Sequence, residues 1–342
     1  MILVTGGAGF IGSCFVQDWL AHEAEPLVVF DALTYAGSLY TLAALQQHPD
    51  FHFVHGDLCD QPRLQHTLGR YRPRAVVHLA AETHVDRSIA GPARFVQTNV
   101  VGTQVLLDAV RQYWQTLSPG QQQAFRFLQV STDEVYGALS DQDPPWTEQQ
   151  PYRPSSPYAA SKAAADHLAS AWQHTYGLPV LISHCTNNYG PAQYPEKLIP
   201  RLIDCALRDQ PLPVYGSGLQ KRDWMHVSDH VRALRLLLAG GQVGEHYHIG
   251  GQQEHTNLQV VGQLCAVLDR LAPRPDGQSH AAQITHVTDR PGHDWRYALN
   301  PEKIHRQLGW QPRIRWEQGL EDTVRWYLQH QDWVAHMQQR QK

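Results

Sequence analysis

The chain has 342 residues, 42% of them hydrophobic, enough for one large α/β domain and a smaller lobe. A formal net charge of −4 gives no electrostatic case for a nucleic acid or membrane partner, and no run of 18 apolar residues offers a spanning helix. The five scattered cysteines form no CxxC pair, and Met1-Ile2-Leu3-Val4-Thr5 enters a strand without a basic n-region; both exclude a secreted, disulfide-built protein and predict a cytoplasmic one.

Short apolar, β-branched runs at 2–5, 27–31, 51–57, 75–81, 125–131 and 180–184 read as buried strands. Helical patterns at 10–22, 61–70, 93–115 and 157–176 lie between them. This alternation predicts an α/β doubly wound parallel sheet with helices on both faces.

Gly6-Gly7-Ala8-Gly9-Phe10-Ile11-Gly12 joins the first strand to the first helix. Glycines there let the backbone approach a pyrophosphate, and the helix N-terminus offers unpaired N–H groups to its charge. The arrangement predicts a Rossmann-type dinucleotide site. Asp31, ending the second strand, suits the adenosine ribose hydroxyls and would repel a 2′-phosphate, so NAD is expected rather than NADP. Asp57-Leu58 either contacts the adenine or merely turns the chain after the third strand.

Ser131-Thr132-Asp133-Glu134 ends the fifth strand at the carboxyl edge of the sheet, where ligands of such folds bind. Thr132 is placed to hydrogen-bond a reacting oxygen. Asp133 and Glu134 are either an acid/base pair or acids satisfying a helix dipole. Downstream, Ser156 and Pro157 open a helix that Gly177 closes. Tyr158 and Lys162 therefore share one face of its first turns. Lys162, with a positive nicotinamide, is expected to lower the Tyr158 phenol from its usual ~10 and make it a general base for an alcohol.

After residue 185 prolines at 191, 195, 200, 211 and 213 shorten the elements, and 273–296 is again rich in Pro, Gly, His and Arg. Residues 1–185 are expected to form the dinucleotide domain, rejoined by a segment near 225–245. Residues 186–330 are expected to form a smaller, discontinuous C-terminal lobe, and 331–342 a C-terminal tail whose last residues, Gln338–Lys342, are frayed and solvated. The 21 histidines include His52-Phe53-Val54-His55 and His246-Tyr247-His248, without HExxH or Cys/His spacing, so no metal is expected.

The glycine loop, Tyr158/Lys162 and Ser131-Thr132-Asp133-Glu134-Val135-Tyr136-Gly137 together resemble the extended short-chain dehydrogenase/reductase superfamily. Within it the chain is similar to the nucleotide-sugar 4,6-dehydratases, with dTDP-glucose as the implied substrate. The likeness runs from residue 1 to about 330 and includes 78–88, Asn187-Asn188-Tyr189-Gly190-Pro191, 195–200, Arg222-Asp223-Trp224 and 289–294.

By that resemblance Tyr158 and a tightly bound NAD oxidise C4 of the sugar. Glu134 then takes the C5 proton while Asp133 protonates the departing C6 hydroxyl, and the hydride returns to C6. Thr132 and Lys162 complete the catalytic set. The resemblance adds Leu33, Thr34, Leu79, Ala80, Ala81, Thr98 and Asn188 to the cofactor contacts, beside Gly6, Gly9, Phe10, Ile11, Gly12, Asp31, Asp57, Leu58, Tyr158 and Lys162. For the substrate it implies Thr83, Thr132, Asn187, Glu196, Lys197, Leu198, Pro213, Tyr215, Arg222, Asn257, Asp289, Arg290 and His293, with Arg222 and Arg290 on the diphosphate. It also implies a homodimer through the helices near 93–115 and 157–176.

Ala159, Ala192, Tyr194 and His226 depart from the family pattern, and Ala192 bears on substrate preference. Three alternatives stand beside this reading: a UDP-sugar 4,6-dehydratase, a nucleotide-sugar 4-epimerase, and a non-catalytic NAD-sensing protein. An epimerase has no use for Asp133-Glu134 in elimination, and a sensor has no need of Tyr158 and Lys162 together.

Overall fold

The computed structural model describes residues 1–340. Seven parallel strands form the main sheet in the order His246–Ile249, Val180–Cys185, Arg126–Thr132, Ala75–His78, Ile2–Thr5, Leu27–Asp31, Phe51–His55. Every residue of Ile2–Thr5, Leu27–Asp31 and Ala75–His78 is buried, as a sheet covered on both faces requires. One face packs on Phe10–His22 and Val227–Gly240 through Phe15, Val16, Val231 and Leu234. The other packs on Gln61–Tyr71 and Thr103–Gln115 through Leu64, Leu68, Leu106 and Val110.

The differences from expectation have local causes. The strands expected over 51–57 and 75–81 stop at His55 and His78. The following residues, including Asp57 and Leu79–Ala81, leave the sheet as loops that line a cleft. The seventh strand, His246–Ile249, was hidden by its polar composition. The helix expected over 93–115 is divided into Pro92–Phe95, a π-helical turn Val96–Gly102 and Thr103–Gln115, and a separate short helix, Val85–Ala90, precedes it. Pro92 opens the first piece of the divided helix, and the wide π turn carries Gln97 and Thr98 on the cleft wall.

The second lobe has its own core, built on Tyr189, Leu202, Ile203, Leu264, Trp316 and Val324. Its central strand Lys221–His226 pairs with Glu254–Thr256, Arg296–Tyr297 and Asn187–Tyr189. A second pair joins Leu212–Tyr215 to Ile284–Val287. The chain re-enters the first domain not only at Val227–Gly240 but through His246–Ile249, and Ile304 and Trp310 also join the first domain's core.

The tail expected over 331–342 is corrected. Residues Gln331–Gln339 form a helix that buries Trp333, Val334 and Met337, because those three apolar side chains share one face. Gln341 and Lys342 lie outside the described residues. The helix is stitched to the loop after the second strand. Tyr40 donates to Asp332 at 2.7 Å, Trp333 donates to Thr41 at 3.0 Å, and Arg340 donates to the Leu33 carbonyl at 2.9 Å. Among the described residues no helix is long and apolar enough to cross a membrane.

Candidate active site

A cavity of about 770 Å³ runs along the carboxyl edge of the main sheet, and a second of about 210 Å³ lies in the smaller lobe. Thr83, Glu134, Asn187, Glu196 and Lys197 line both, so the two are continuous. All residues expected to hold the cofactor line the larger cavity except Leu33. Leu33 instead donates its backbone N–H to Asp31 Oδ1 at 2.8 Å, with a left-handed φ of 48°. It shapes the loop after the second strand from behind.

The larger cavity fits a dinucleotide. The helix Phe10–His22 begins without a side-chain cap and without an acid in its first turn, leaving its N–H groups to an anion. A Cβ on Gly12 would stand 2.1 Å from the Gly6 carbonyl oxygen, so only glycine lets the helix start close against the loop. Asp31 accepts from Ala8 N at 2.9 Å as well as from Leu33 N. Burial raises its carboxyl above the ordinary value, and these two bonds oppose the rise. Asp57 lines the cavity and also closes its own turn, accepting from Cys59 N at 2.8 Å.

The catalytic candidates converge where the strand Arg126–Thr132 passes into a short 3₁₀ turn, Asp133–Tyr136. Thr132 Oγ1 accepts from Glu134 N at 3.3 Å and lies 3.2 Å from Asp133 Oδ1. Asp133 Oδ2 is buried and has no protein partner. Burial, reinforced by Glu134, raises the Asp133 carboxyl well above its usual range. Burial also raises Glu134, against the positive charges of Arg222, Arg290 and Lys197.

Tyr158 and Lys162 occupy the first turns of Pro157–Tyr176, which Ser156 caps by accepting from Ala159 N at 3.1 Å. The backbone of Tyr158 is held from two sides. Its N–H donates to Ser88 at 3.2 Å, and its carbonyl accepts from Ser161 at 2.7 Å. Ser161 accepts in turn from Asn99 of the π-helical turn at 2.8 Å, and Asn99 also bonds both backbone groups of Glu82.

One expectation is corrected here. The Tyr158 phenol is not lowered in the protein alone: burial holds it well above its ordinary value, Glu134 adds to this, and the strongest opposing group is the Thr132 hydroxyl. The cause is desolvation of the buried phenol. Lys162 Nζ turns inward to donate to the Val130 carbonyl at 2.8 Å.

In the smaller cavity Leu198, Pro213, Tyr215, Arg222, Asn257, Arg290 and His293 line the wall as expected, while Asp289 does not. Asp289 accepts from His293 Nδ1 at 2.6 Å, from Arg290 N at 2.9 Å and from Gln220 at 2.9 Å, so it braces residues that do. The Arg222 guanidinium sits 4.4 Å from the Tyr297 ring centroid and donates to the carbonyls of Lys221 and Asp294. Glu196 is engaged by Tyr35 at 3.0 Å and Arg87 at 2.9 Å.

Tyr297, Trp224 and Arg201 also line this cavity and were not expected. Arg201 follows Lys197 by one helical turn, a periodicity that signals a shared face. Tyr297 is brought in by strand pairing far along the chain, and no local pattern marks it. Of the departures, Tyr194 lines the larger cavity; Ala159, Ala192 and His226 line neither.

Residues 3–323 match the family model described as GDP-mannose 4,6 dehydratase. A dTDP-glucose 4,6-dehydratase of Xanthomonas campestris pv. campestris is 55% identical over 97% of this chain and 94% of its own. The crystal structure of a dTDP-glucose 4,6-dehydratase from Streptomyces venezuelae, solved with NAD bound, superposes with a TM-score of 0.89 at 46% identity, covering 98% of this chain and 99% of that one. A Thermus thermophilus UDP-glucose 4-epimerase, in complex with NAD, reaches a TM-score of 0.83 at 29% identity over 96% and 99%. With likeness at this level along nearly the whole chain, the protein belongs to the dTDP-glucose 4,6-dehydratase family.

Proposed function

We propose that the chain dehydrates dTDP-glucose to the 4-keto-6-deoxy sugar nucleotide. The observation that carries this reading is the pair of adjacent carboxyls, Asp133 buried in the wall of the larger cavity and Glu134 half-buried where the two cavities join, unequally raised by their surroundings. A 4-epimerase has no use for such a pair.

NAD⁺ held between the Gly6–Gly12 loop, Asp31 and Tyr158 supplies, when bound, a hydride acceptor at C4 that gives the hydride back at C6. The chain's own groups handle the protons. Tyr158 Oη takes the C4 hydroxyl proton, with Thr132 Oγ1 bonding the same oxygen. The resulting ketone acidifies C5, whose proton Glu134 removes and later returns. Asp133, kept protonated by burial and by Glu134, donates to the C6 oxygen as it leaves as water. The proton gained at Tyr158 matches the one lost from Asp133, so both return to their starting states through solvent.

Arg222 and Arg290 are assigned to the diphosphate, and their charge also keeps Glu134 closer to its basic form than Asp133. A cytoplasmic setting is supported by five cysteines that are all free. A homodimer is supported by the exposed apolar side chains Val96, Val101 and Tyr176 on the helices named for it, with Ile89 on the short helix before them.

The test offers dTDP-glucose and UDP-glucose separately and follows product mass. Loss of one water from the thymidine nucleotide supports the proposal. The same loss from the uridine nucleotide alone reassigns the base. A product of unchanged mass would replace the reading with an epimerase, and no turnover of either sugar would leave a binding protein.

A further inference from the structure

Beneath the catalytic turn lies a buried polar cluster that the proposed chemistry does not use. Asp166 is fully buried one helical turn beyond Lys162. Its Oδ2 accepts from Ser131 Oγ at 2.5 Å and from Tyr152 at 3.4 Å, and lies 3.3 Å from His184 Nε2. Its Oδ1 accepts from Gln129 at 3.3 Å. A second layer follows: Tyr136 reaches His184 at 3.4 Å and His248 at 2.7 Å, and His246 meets Tyr152 at 3.5 Å.

Sheet register builds this cluster. Ser131 pairs with His184, and His184 pairs with His248, so neighbouring strands present these side chains on one face. His246 and His248 of the His246-Tyr247-His248 motif thus belong to a core network.

Burying an aspartate is costly unless its charge is answered. Here His184 answers it first, by hydrogen bond and charge, and Lys162 next; Lys162 is itself buried and its ammonium is disfavoured by desolvation. Asp166 is the strongest influence restoring it; Cys185 is the second, and His78 faces Lys162 from the neighbouring strand. Geometry joins the two a second way. Lys162 Nζ bonds the carbonyl of Val130, and the next residue, Ser131, is tied by its hydroxyl to Asp166.

We propose that Asp166 is a positioning residue for the oxidation step, holding Lys162 charged and aimed through its own carboxylate and through Ser131, with Gln129, Tyr152 and His184 fixing that carboxylate. The inference rests on the role given to Lys162 beside Tyr158. Asp166 touches neither substrate nor cofactor. Its effect is read through the pH at which Lys162 loses its proton.

The experiment measures kcat and KM against pH for the native chain and for Asp166→Asn, Ser131→Ala and Lys162→Met. Asp166→Asn is expected to lower kcat by about 10- to 100-fold, as loss of a partner that orients a reacting group from behind does. It should leave KM within about twofold and move the alkaline limb of kcat downward by about one pH unit, the scale of a lost close charge partner. Ser131→Ala should move that limb the same way by less, and decides the matter if Asp166→Asn does not fold. A fall in kcat with the limb unmoved in both variants would reduce Asp166 to a structural part and overturn the proposal, as would native kinetics. Full activity in Lys162→Met would instead sink the role of Lys162, and with it the reading of the site.

Discussion

Asp133 and Glu134 are adjacent carboxyls in unequal electrostatic settings. Burial raises Asp133 well above the carboxylate range and Glu134 pushes it further, whereas Glu134, also raised by burial, is drawn back by Arg222, Arg290 and Lys197. Two like groups are thereby separated into one that keeps its proton longer and one that gives it up sooner.

That separation predicts different failures for two variants. Glu134→Gln should abolish both product and the incorporation of solvent deuterium at C5. Asp133→Asn should retain C5 exchange while water loss falls about 10²- to 10⁴-fold, the usual weight of a general acid. Mass spectrometry in D₂O reads both. Exchange in the Glu134 variant would refute its assignment.

Removing the guanidinium by Arg222→Gln should raise Glu134 further, because Arg222 is the strongest group lowering it. Glu134 works deprotonated, so the acidic limb of kcat/KM moves to higher pH. The same change raises Asp133, which works protonated, so the alkaline limb also moves up. A profile displaced in the opposite direction would contradict the division of roles.

Gly12→Ala places a methyl 2.1 Å from the Gly6 carbonyl oxygen, a clash of two backbones with no flexible end. The loop must shift, at about 1–3 kcal/mol for overpacking. The expected readings are a lower melting temperature and loss of co-purifying NAD. Gly262→Ala, where a Cβ meets nothing within 4 Å, is the control and should melt at or above the native temperature.

The fold should also weaken in mild acid. His230 is buried, and desolvation takes its imidazole down to about 3, with Nδ1 bonded to Asn188 at 3.0 Å. A histidine depressed in the fold adds stability that is complete above its unfolded value near ~6.5 and is lost as pH falls toward the folded one. Each such group costs about 1.4 kcal/mol per pH unit within that window. Urea unfolding of His230→Asn should show a pH slope smaller by one proton between pH 6 and 4; an unchanged slope would mean His230 is charged in the native state.

What was legible in the chain follows from how far each signal reaches. The glycine loop, Asp31 and the capped helix bearing Tyr158 were readable because each depends on residues within one turn. The six strands from Ile2 to Cys185 declared themselves by apolar runs. His246–Ile249 did not, since its histidines are satisfied by Tyr136, Tyr152 and the Trp146 carbonyl, partners remote in sequence. Leu33 and Asp289 were placed in the right loops but in the wrong layer: each braces a neighbour that meets the cavity. Lys162 bonds the Val130 carbonyl, a partner on another element that spacing along its own helix does not show.

The terminal stitching has a consequence for biosynthesis. The loop that follows the second strand on the wall of the large cavity is made early, yet the bonds of Tyr40, Thr41 and Leu33 to Asp332, Trp333 and Arg340 wait for the last helix. A ribosome-bound chain therefore carries a complete glycine loop well before this neighbouring loop gains its bonds to the last helix.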